Sequence, residues 1–510
     1  MSRVLDGIYR FAVDSPQAVA LEGLNNSDSL TYSGLVPAIE NLAASLKTFD
    51  IHACALLADN TPAWAVADLA AIRAGMPLIP VPHFFAPSQM VHLLHSSGVN
   101  AILTDRPEQV AELLAGMHVP VAAPVEVQAG KQSLSVFILS AQDNDQPKAL
   151  PEACAKVTFT SGSTGDPKGV CLTQQAMETV AGSLASATEA CADDRHLAAL
   201  PYATLLENIG GLYAPLMAGA TICAPGLAAV GLSGSSGLDV KQFVAVLNER
   251  RISTCIMIPQ MLHGLIAGLE AGMPRPANLR YIAVGGSPVS EYLLTRAEAL
   301  GLPVFEGYGL SEAASVVAVN RAGDARPGSV GKPLPHIDLS FADDGEILVR
   351  GSLFSGYLGD APQPVDAFLP TGDIGRLDKE GFLHLTGRKK HLFITAFGRN
   401  VSPEWVEREL TIEPAIGQAC VFGEAKPFNV AVIQPRAGVE PAAVVRAALQ
   451  QAVDAANARL PDYARVSHWL LAREPFTVAN GLWTGTGRPR RQFIFKAYEH
   501  DIDELYKEFA

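Results

Sequence analysis

Short apolar runs alternate along the first half of the chain with longer segments whose apolar positions recur at helical spacing. Cys54 to Leu57 reads as a buried strand, Trp64 to Gly75 as an apolar helix, and Leu78-Ile79-Pro80-Val81-Pro82 as a second strand. Gln89 to Ser97 and Ala101 to Leu103 repeat the helix and the strand, which predicts an α/β unit with a mainly parallel sheet. The polar stretch from Lys131 to Pro151 predicts an exposed connection. Further on, Val157 to Phe159, Leu197 to Pro201, Ser253 to Pro259 and Tyr281 to Val284 read as strands, Gln174 to Glu189 as a helix, and Leu205 to Leu216 as an apolar helix interrupted by glycine. Gly345 to Gly351 predicts a strand of a small β region, and Thr371 to Gly375 a glycine turn. After Lys390 the pattern becomes that of a smaller α+β unit. Leu392 to Thr395 is a strand there, Pro403 to Leu410 a helix, Ala419 to Gly423 and Asn429 to Ile433 two strands, and Pro441 to Leu460 a long Ala-rich helix.

At 510 residues the chain exceeds what one hydrophobic core supports, so two or more domains are expected. A formal charge of −14 argues against a nucleic-acid-binding face, so any phosphate ligand has to be held by local geometry or by a metal. Seven cysteines are scattered singly with no C-x-x-C pair, as expected of reduced residues. Met1 to Arg10 lacks the features of a signal peptide, and no run approaches the roughly 20 apolar residues of a membrane span. A soluble, cytoplasmic protein is the expectation.

The candidate chemistry centres on Thr158-Phe159-Thr160-Ser161-Gly162-Ser163-Thr164-Gly165-Asp166-Pro167-Lys168-Gly169-Val170. A strand opens there into a loop of hydroxyls and glycines closed by one lysine. Glycines let backbone N–H groups approach phosphate oxygens, the hydroxyls of Thr160, Ser161, Ser163 and Thr164 donate further bonds, and Lys168 adds a point charge. No Walker frame fits this spacing.

The segment TSGSTGDPKG resembles the signature loop of the adenylate-forming superfamily, which includes acyl-CoA synthetases, carrier-protein adenylation domains and luciferases. Later motifs follow in that family's order. Gly285-Gly286-Ser287 resembles the loop on which the adenine lies, and Gly307-Tyr308-Gly309-Leu310-Ser311-Glu312 matches the family's G-Y-G-x-[TS]-E. The resemblance implies that Tyr308 stacks on the purine, Ser311 bonds a phosphate and Glu312 is a hard oxygen ligand for Mg²⁺. It further implies that Asp373 accepts the ribose hydroxyls, that Arg388 contacts ribose and phosphate, and that a thiol enters past Gly398. The implied fold is a large N-terminal domain of doubly wound sheets plus a small β region (1–388), a hinge (389–391) and a mobile α+β C-terminal domain (392–510).

One position departs from the pattern. Asn480 to Arg491 resembles the family's N-G-L-x-T-x-x-G-K-x-x-R segment, but Arg488 stands where the family places its adenylation lysine. A planar guanidinium spreads its charge and is wider than an ammonium. Two enzymatic readings therefore stand side by side. One is a complete ligase that uses ATP, Mg²⁺ and CoA. The other accepts acyl-AMP from a separate adenylating enzyme and makes only the thioester, or passes the acyl group to a carrier protein or an amine. A nucleotide-binding protein without turnover is the non-enzymatic alternative. Leu200 to Asn208 resembles the segment that lines the acyl pocket, with the small Thr204 leaving one wall open. The pocket walls are expected to be Leu205, Leu206, Ile256, Met257, Gly285 and Leu310, with Gly211 on the facing helix and no charged group among them. A fatty or aryl acid is the expected substrate.

Overall fold

The computed structural model describes residues 2–119, 122–139, 150–160, 167–233, 237–286, 289–364, 366–397, 399–436, 442–484 and 488–509. Two large sheets, each with a parallel centre, form the body of the N-terminal part. In the first, the strand Cys54–Leu57 lies between Leu78–Pro80 and Ala101–Thr104, all parallel, and Leu78–Pro80 is followed by Cys154–Thr160. Cys54–Leu57 and Leu78–Pro80 are apolar and buried throughout, as strands at the centre of a parallel sheet are. The helix Pro62–Ala74 is correspondingly buried along most of its length and ends on Gly75, whose φ of 67° is left-handed.

The polar stretch expected to be an exposed connection is in part a strand. Gln132–Ile138 pairs antiparallel with Ala101–Thr104 and buries Leu134, Val136 and Phe137. Its alternation of polar and apolar residues is that of a half-buried strand near a sheet edge. Residues 140–149 lie outside the described residues.

The second sheet runs Val304–Tyr308, Tyr281–Val284, Thr254–Met257, Arg195–Leu197, Thr221–Cys223 and Val19–Glu22, again in parallel. A four-stranded antiparallel sheet follows, built on Ile337–Phe341, Glu346–Gly351, Leu369–Leu377 and Leu383–Arg388. The expected glycine turn at Thr371 to Gly375 is the middle of the strand Leu369–Leu377. Gly372 takes a φ of 72° there and the register shifts at Gly375, so the signal was that of a bulge and not of a reversal. The C-terminal unit is a three-stranded sheet of Ile416–Phe422, Asn429–Pro435 and Val466–Leu471, packed with the helices Pro403–Thr411, Ala442–Arg459 and Arg491–Phe509. No helix among the described residues is long and apolar enough to cross a membrane. All seven cysteines are free, and only Cys191 is exposed.

Candidate active site

The strands Cys154–Thr160 and Lys168–Thr173 pair antiparallel, with Thr160 opposite Lys168, so the hydroxyl-rich segment leaves and rejoins the sheet at one place. Ser161, Gly162, Ser163 and Thr164 themselves lie outside the described residues, as do Ser287 and Gly398. Beside this hairpin the short strand Gly356–Tyr357 pairs with Lys168–Thr173. The Tyr357 ring centroid lies 5.0 Å from Lys168 Nζ, and its hydroxyl donates to Glu312 Oε1 at 2.6 Å. Burial and that bond to Glu312 raise the Tyr357 pKa above its usual value, so the hydroxyl keeps its proton. One tyrosine thus links the loop lysine to the expected metal ligand.

Glu312 sits on a one-turn helix, Ser311–Ala313, that follows the strand Val304–Tyr308. A Cβ on Gly309 would lie 1.6 Å from the Ser315 carbonyl, so only glycine fits between strand and turn. Ala314 and Ser315 hold φ values of 49° and 98°, strained for residues with a Cβ. The sharp reversal aims Ser311 and Glu312 into the same space as the Tyr308 ring.

Register places the next pair. Asp373 and Arg388 are directly opposed across Leu369–Leu377 and Leu383–Arg388. Arg388 Nε lies 2.8 Å from Asp373 Oδ1, and the Tyr308 hydroxyl donates to Oδ2 at 2.7 Å. Burial raises the Asp373 pKa, while Arg388 and the Tyr308 bond pull it down. From the C-terminal unit, Arg488 donates to the Gly286 carbonyl. Burial among the surrounding walls and the like charge of Arg388 lower the Arg488 pKa, and Asp373 and Glu404 act in the opposite sense. Its side chain stays open toward the cavity.

Thr160, Lys168, Gly286, Gly307, Tyr308, Gly309, Ser311, Glu312, Arg388 and Arg488 all line one cavity of about 1640 Å³; Asp373 is not among the lining residues and is buried beside Arg388, which does line the cavity. The cavity continues inward between the second sheet and the segment after Leu205. That segment is helical, as its apolar spacing predicts, but most of it is wound more widely than an α-helix. Leu206–Tyr213 is a π-helix, continued by the α-helix Ala214–Ala218. Leu205, Leu206, Ile256, Gly285, Leu310 and Thr204 line the space as expected, but Met257 does not, being fully buried in the core on the opposite face of its strand. Nor does Gly211 face it: a Cβ there would meet Glu207 Oε1 at 2.1 Å, whereas Gly210 lines the cavity with Ile256 and Leu184 around it.

The 8–358 segment matches the model of the AMP-binding enzyme family, and 391–510 matches its C-terminal domain. The chain belongs to the AMP-binding enzyme family. A long-chain-fatty-acid–CoA ligase of Mycobacterium bovis is 36% identical over 253 residues, 45% of this chain and 42% of that one, so the chain spans less than half the length of this curated relative. The anthranilate CoA ligase AuaEII, solved in complex with anthranoyl-AMP, superposes with a TM-score of 0.78 at 18% identity over 98% of this chain and 97% of that one. The o-succinylbenzoate coenzyme A synthetase of Bacillus subtilis, solved with ATP and a magnesium ion, gives 0.72 at 23% over 95% and 98%. The two structures show that this AMP-binding enzyme shares their fold.

Several residues of the AMP-binding enzyme escaped the motif reading. Tyr357 is one. Another set is Lys156, Asp68, Asn208 and Tyr213, all buried. Lys156 Nζ donates to Asp68 and Asn208 and lies 2.9 Å from the Tyr213 hydroxyl, which itself donates to Asp68 Oδ2 at 2.6 Å. This network ties the strand that leads into the hydroxyl-rich loop to the π-helix that walls the cavity. A third set shows that the walls are not apolar throughout. His196 lines the cavity, with Nε2 3.0 Å from Glu207 Oε1 and Nδ1 3.0 Å from Thr254 Oγ1. Burial raises the Glu207 pKa, against His196 and the Leu200 N–H, which donates to Oε2 at 3.1 Å. Among the described residues no three His, Cys, Asp or Glu side chains converge as a metal cage. A Mg²⁺ ion held by Glu312 alone among the protein groups, with phosphate oxygens and water, fits that ion's habits.

Proposed function

We propose that this AMP-binding enzyme is an AMP-forming acid–thiol ligase that activates an apolar carboxylic acid and passes it to CoA. The observation that carries the reading is one continuous cavity, with Tyr308, Glu312, Lys168, Arg388 and Arg488 at its mouth and the apolar face of Ile256, Leu206 and Gly210 within. In the first step a carboxylate oxygen attacks the α-phosphorus of ATP, and the bond to pyrophosphate breaks. In the second the thiol sulfur attacks the acyl carbon, the bond to AMP breaks and the thiol proton is released.

This chain's residues act by placement and charge. Tyr308 presents a ring for the adenine while its hydroxyl stays on Asp373, which, with Arg388, forms the ribose side. Thr160, Ser161, Gly162, Ser163, Thr164 and Lys168 would hold the β- and γ-phosphates. Arg488 would stand at the α-phosphate, the place its contact with Gly286 supports. Bound at Glu312, Mg²⁺ would offset phosphate charge. After adenylation, rotation of 392–510 about the hinge 389–391 would bring the segment around Gly398 to the thiol entrance.

Pyrophosphate exchange across a panel of acids, beside a thioester assay started from synthetic acyl-AMP, tests the reading. Both reactions are expected with fatty or aryl acids. Thioester formation without any exchange would favour the second reading, in which Arg488 cannot support adenylation and acyl-AMP comes from another enzyme. Neither reaction with any acid would overturn both.

A further inference from the structure

The inner wall of the cavity is not uniformly apolar. On the second sheet, His196, Thr254 and Tyr281 stand side by side in register on one face. All three line the cavity, one row deeper than Ile256 and Ala283. Thr254 lies four residues before Ile258, which lines the cavity just past the end of the strand Thr254–Met257, about 13 Å at the rise of a strand, or about ten carbons of an extended chain. Beyond this row the lining groups are Asp194 and Arg280, which satisfy each other with Arg280 Nε 2.6 Å from Asp194 Oδ1.

The hydrogen bonds of the row leave one atom with capacity to spare. The Tyr281 hydroxyl donates to the Asn320 carbonyl at 2.7 Å. With Glu207 as a carboxylate, which also accepts the Leu200 N–H, the tautomer that satisfies the row carries its proton on His196 Nε2 toward Glu207, and Nδ1 then accepts the Thr254 hydroxyl proton. Thr254 Oγ1 then keeps its lone pairs, and its side chain is open to the cavity. The Glu207–His196 pair thus fixes the direction in which the threonine hydroxyl points: proton toward the sheet, lone pairs toward the cavity.

Resting on the ligase reading of this site, we infer that the acid carries a hydroxyl on its tail, at the depth of Thr254, and that Thr254 Oγ1 accepts that hydroxyl's proton. Thr254 sets specificity, and His196 with Glu207 are positioning residues. The contact selects a donor, so a hydroxyl is taken over a methyl ether or a plain methylene. Gly210 and Ala214, both small, line the same cavity.

The test uses the full chain and saturated acids of one length with a single hydroxyl at successive carbons, their methyl ethers and the unsubstituted acid. Affinity is read by calorimetry without ATP or CoA, and thioester formation separately. One hydroxyl position, about ten carbons from the carboxylate, should exceed both its ether and the unsubstituted acid by about tenfold in affinity and in kcat/KM. Thr254→Val should bring that ratio close to one, and Thr254→Ser should retain it. A flat positional series in the wild type, or a preference that survives Thr254→Val, overturns the inference; the wild-type series decides alone if the valine variant fails to fold. A hydroxyl preference in binding with no turnover sinks the ligase reading and keeps this one, whereas turnover without the preference does the reverse.

Discussion

Two residues carry the sharpest expectations. Arg488 reaches Gly286 across the domain boundary and shares its surroundings with Arg388 and Asp373. Removing one well-placed charge from a transition state costs roughly 3–4 kcal/mol, about a hundred- to a thousand-fold in rate. Arg488→Ala should lower acyl-AMP formation by that factor and change thioester formation from supplied acyl-AMP only a few-fold. Equal loss in both steps, measured in single-turnover assays, would show that the arginine holds the fold and not the phosphate. Glu306 concerns stability. It is 8% exposed on the strand that ends at Tyr308, and burial raises its pKa from 4.5 to about 8, partly opposed by Arg408. Between these two values the folded state keeps a proton that the unfolded chain has lost, so stability falls as pH rises through that window; below it the group has no effect. Glu306→Gln should melt close to wild type at about pH 4.5 and progressively higher than wild type up to about pH 8. A melting difference that does not change with pH would refute this.

At the scale of the element, the π-helix Leu206–Tyr213 decides which side chains meet the acyl group. Its wider turn advances each residue by less than an α-helix does, so a pattern read at 3.6 residues per turn puts the wrong glycine on the wall. Gly210→Leu should fill the space beside Ile256 and cut kcat/KM for long acids about tenfold or more while sparing short ones. Gly211→Ala should act on stability, because its Cβ would enter the Glu207–His196 pair. Overpacking of that kind costs typically 1–3 kcal/mol, readable as a lower denaturant midpoint with the same acid preference. If Gly211→Ala shifts chain-length preference and Gly210→Leu does not, the π-helix does not line the site as described.

For the whole molecule, the relation between the two units is the variable. In this arrangement the C-terminal unit meets the large one through Arg488 and Gly286, through the Ile412 carbonyl 3.3 Å from His263 Nε2, and through Arg459 over the Tyr292 ring at 5.3 Å. Such a cation–ring contact is worth about 0.5–1 kcal/mol at an exposed site. Tyr292→Ala should therefore slow acyl-AMP formation about two- to fivefold and leave the thioester step unchanged, because the second step is proposed to use another arrangement of the same two units. An equal effect on both steps would place Tyr292 outside the docking of the adenylating arrangement.

The buried strands and the Gly-Tyr-Gly turn are legible in the sequence, because each rests on neighbours along the chain. Apolar runs name strands, and glycines with positive φ or without room for a Cβ name turns. What the sequence left open are contacts between residues far apart. Tyr357 lies 45 positions from Glu312, and Lys156 lies 88 from Asp68. No local pattern marks Tyr357 as a tether or Thr254 as the free acceptor of a polar row, since register between strands alone puts His196 beside Thr254 and Asp373 beside Arg388. Local chemistry determined which residues could serve a nucleotide and an acid. Strand register, the phase of one π-helix and the docking of the C-terminal unit decided which of them share a cavity, because those depend on the packing of segments that the chain's order keeps apart.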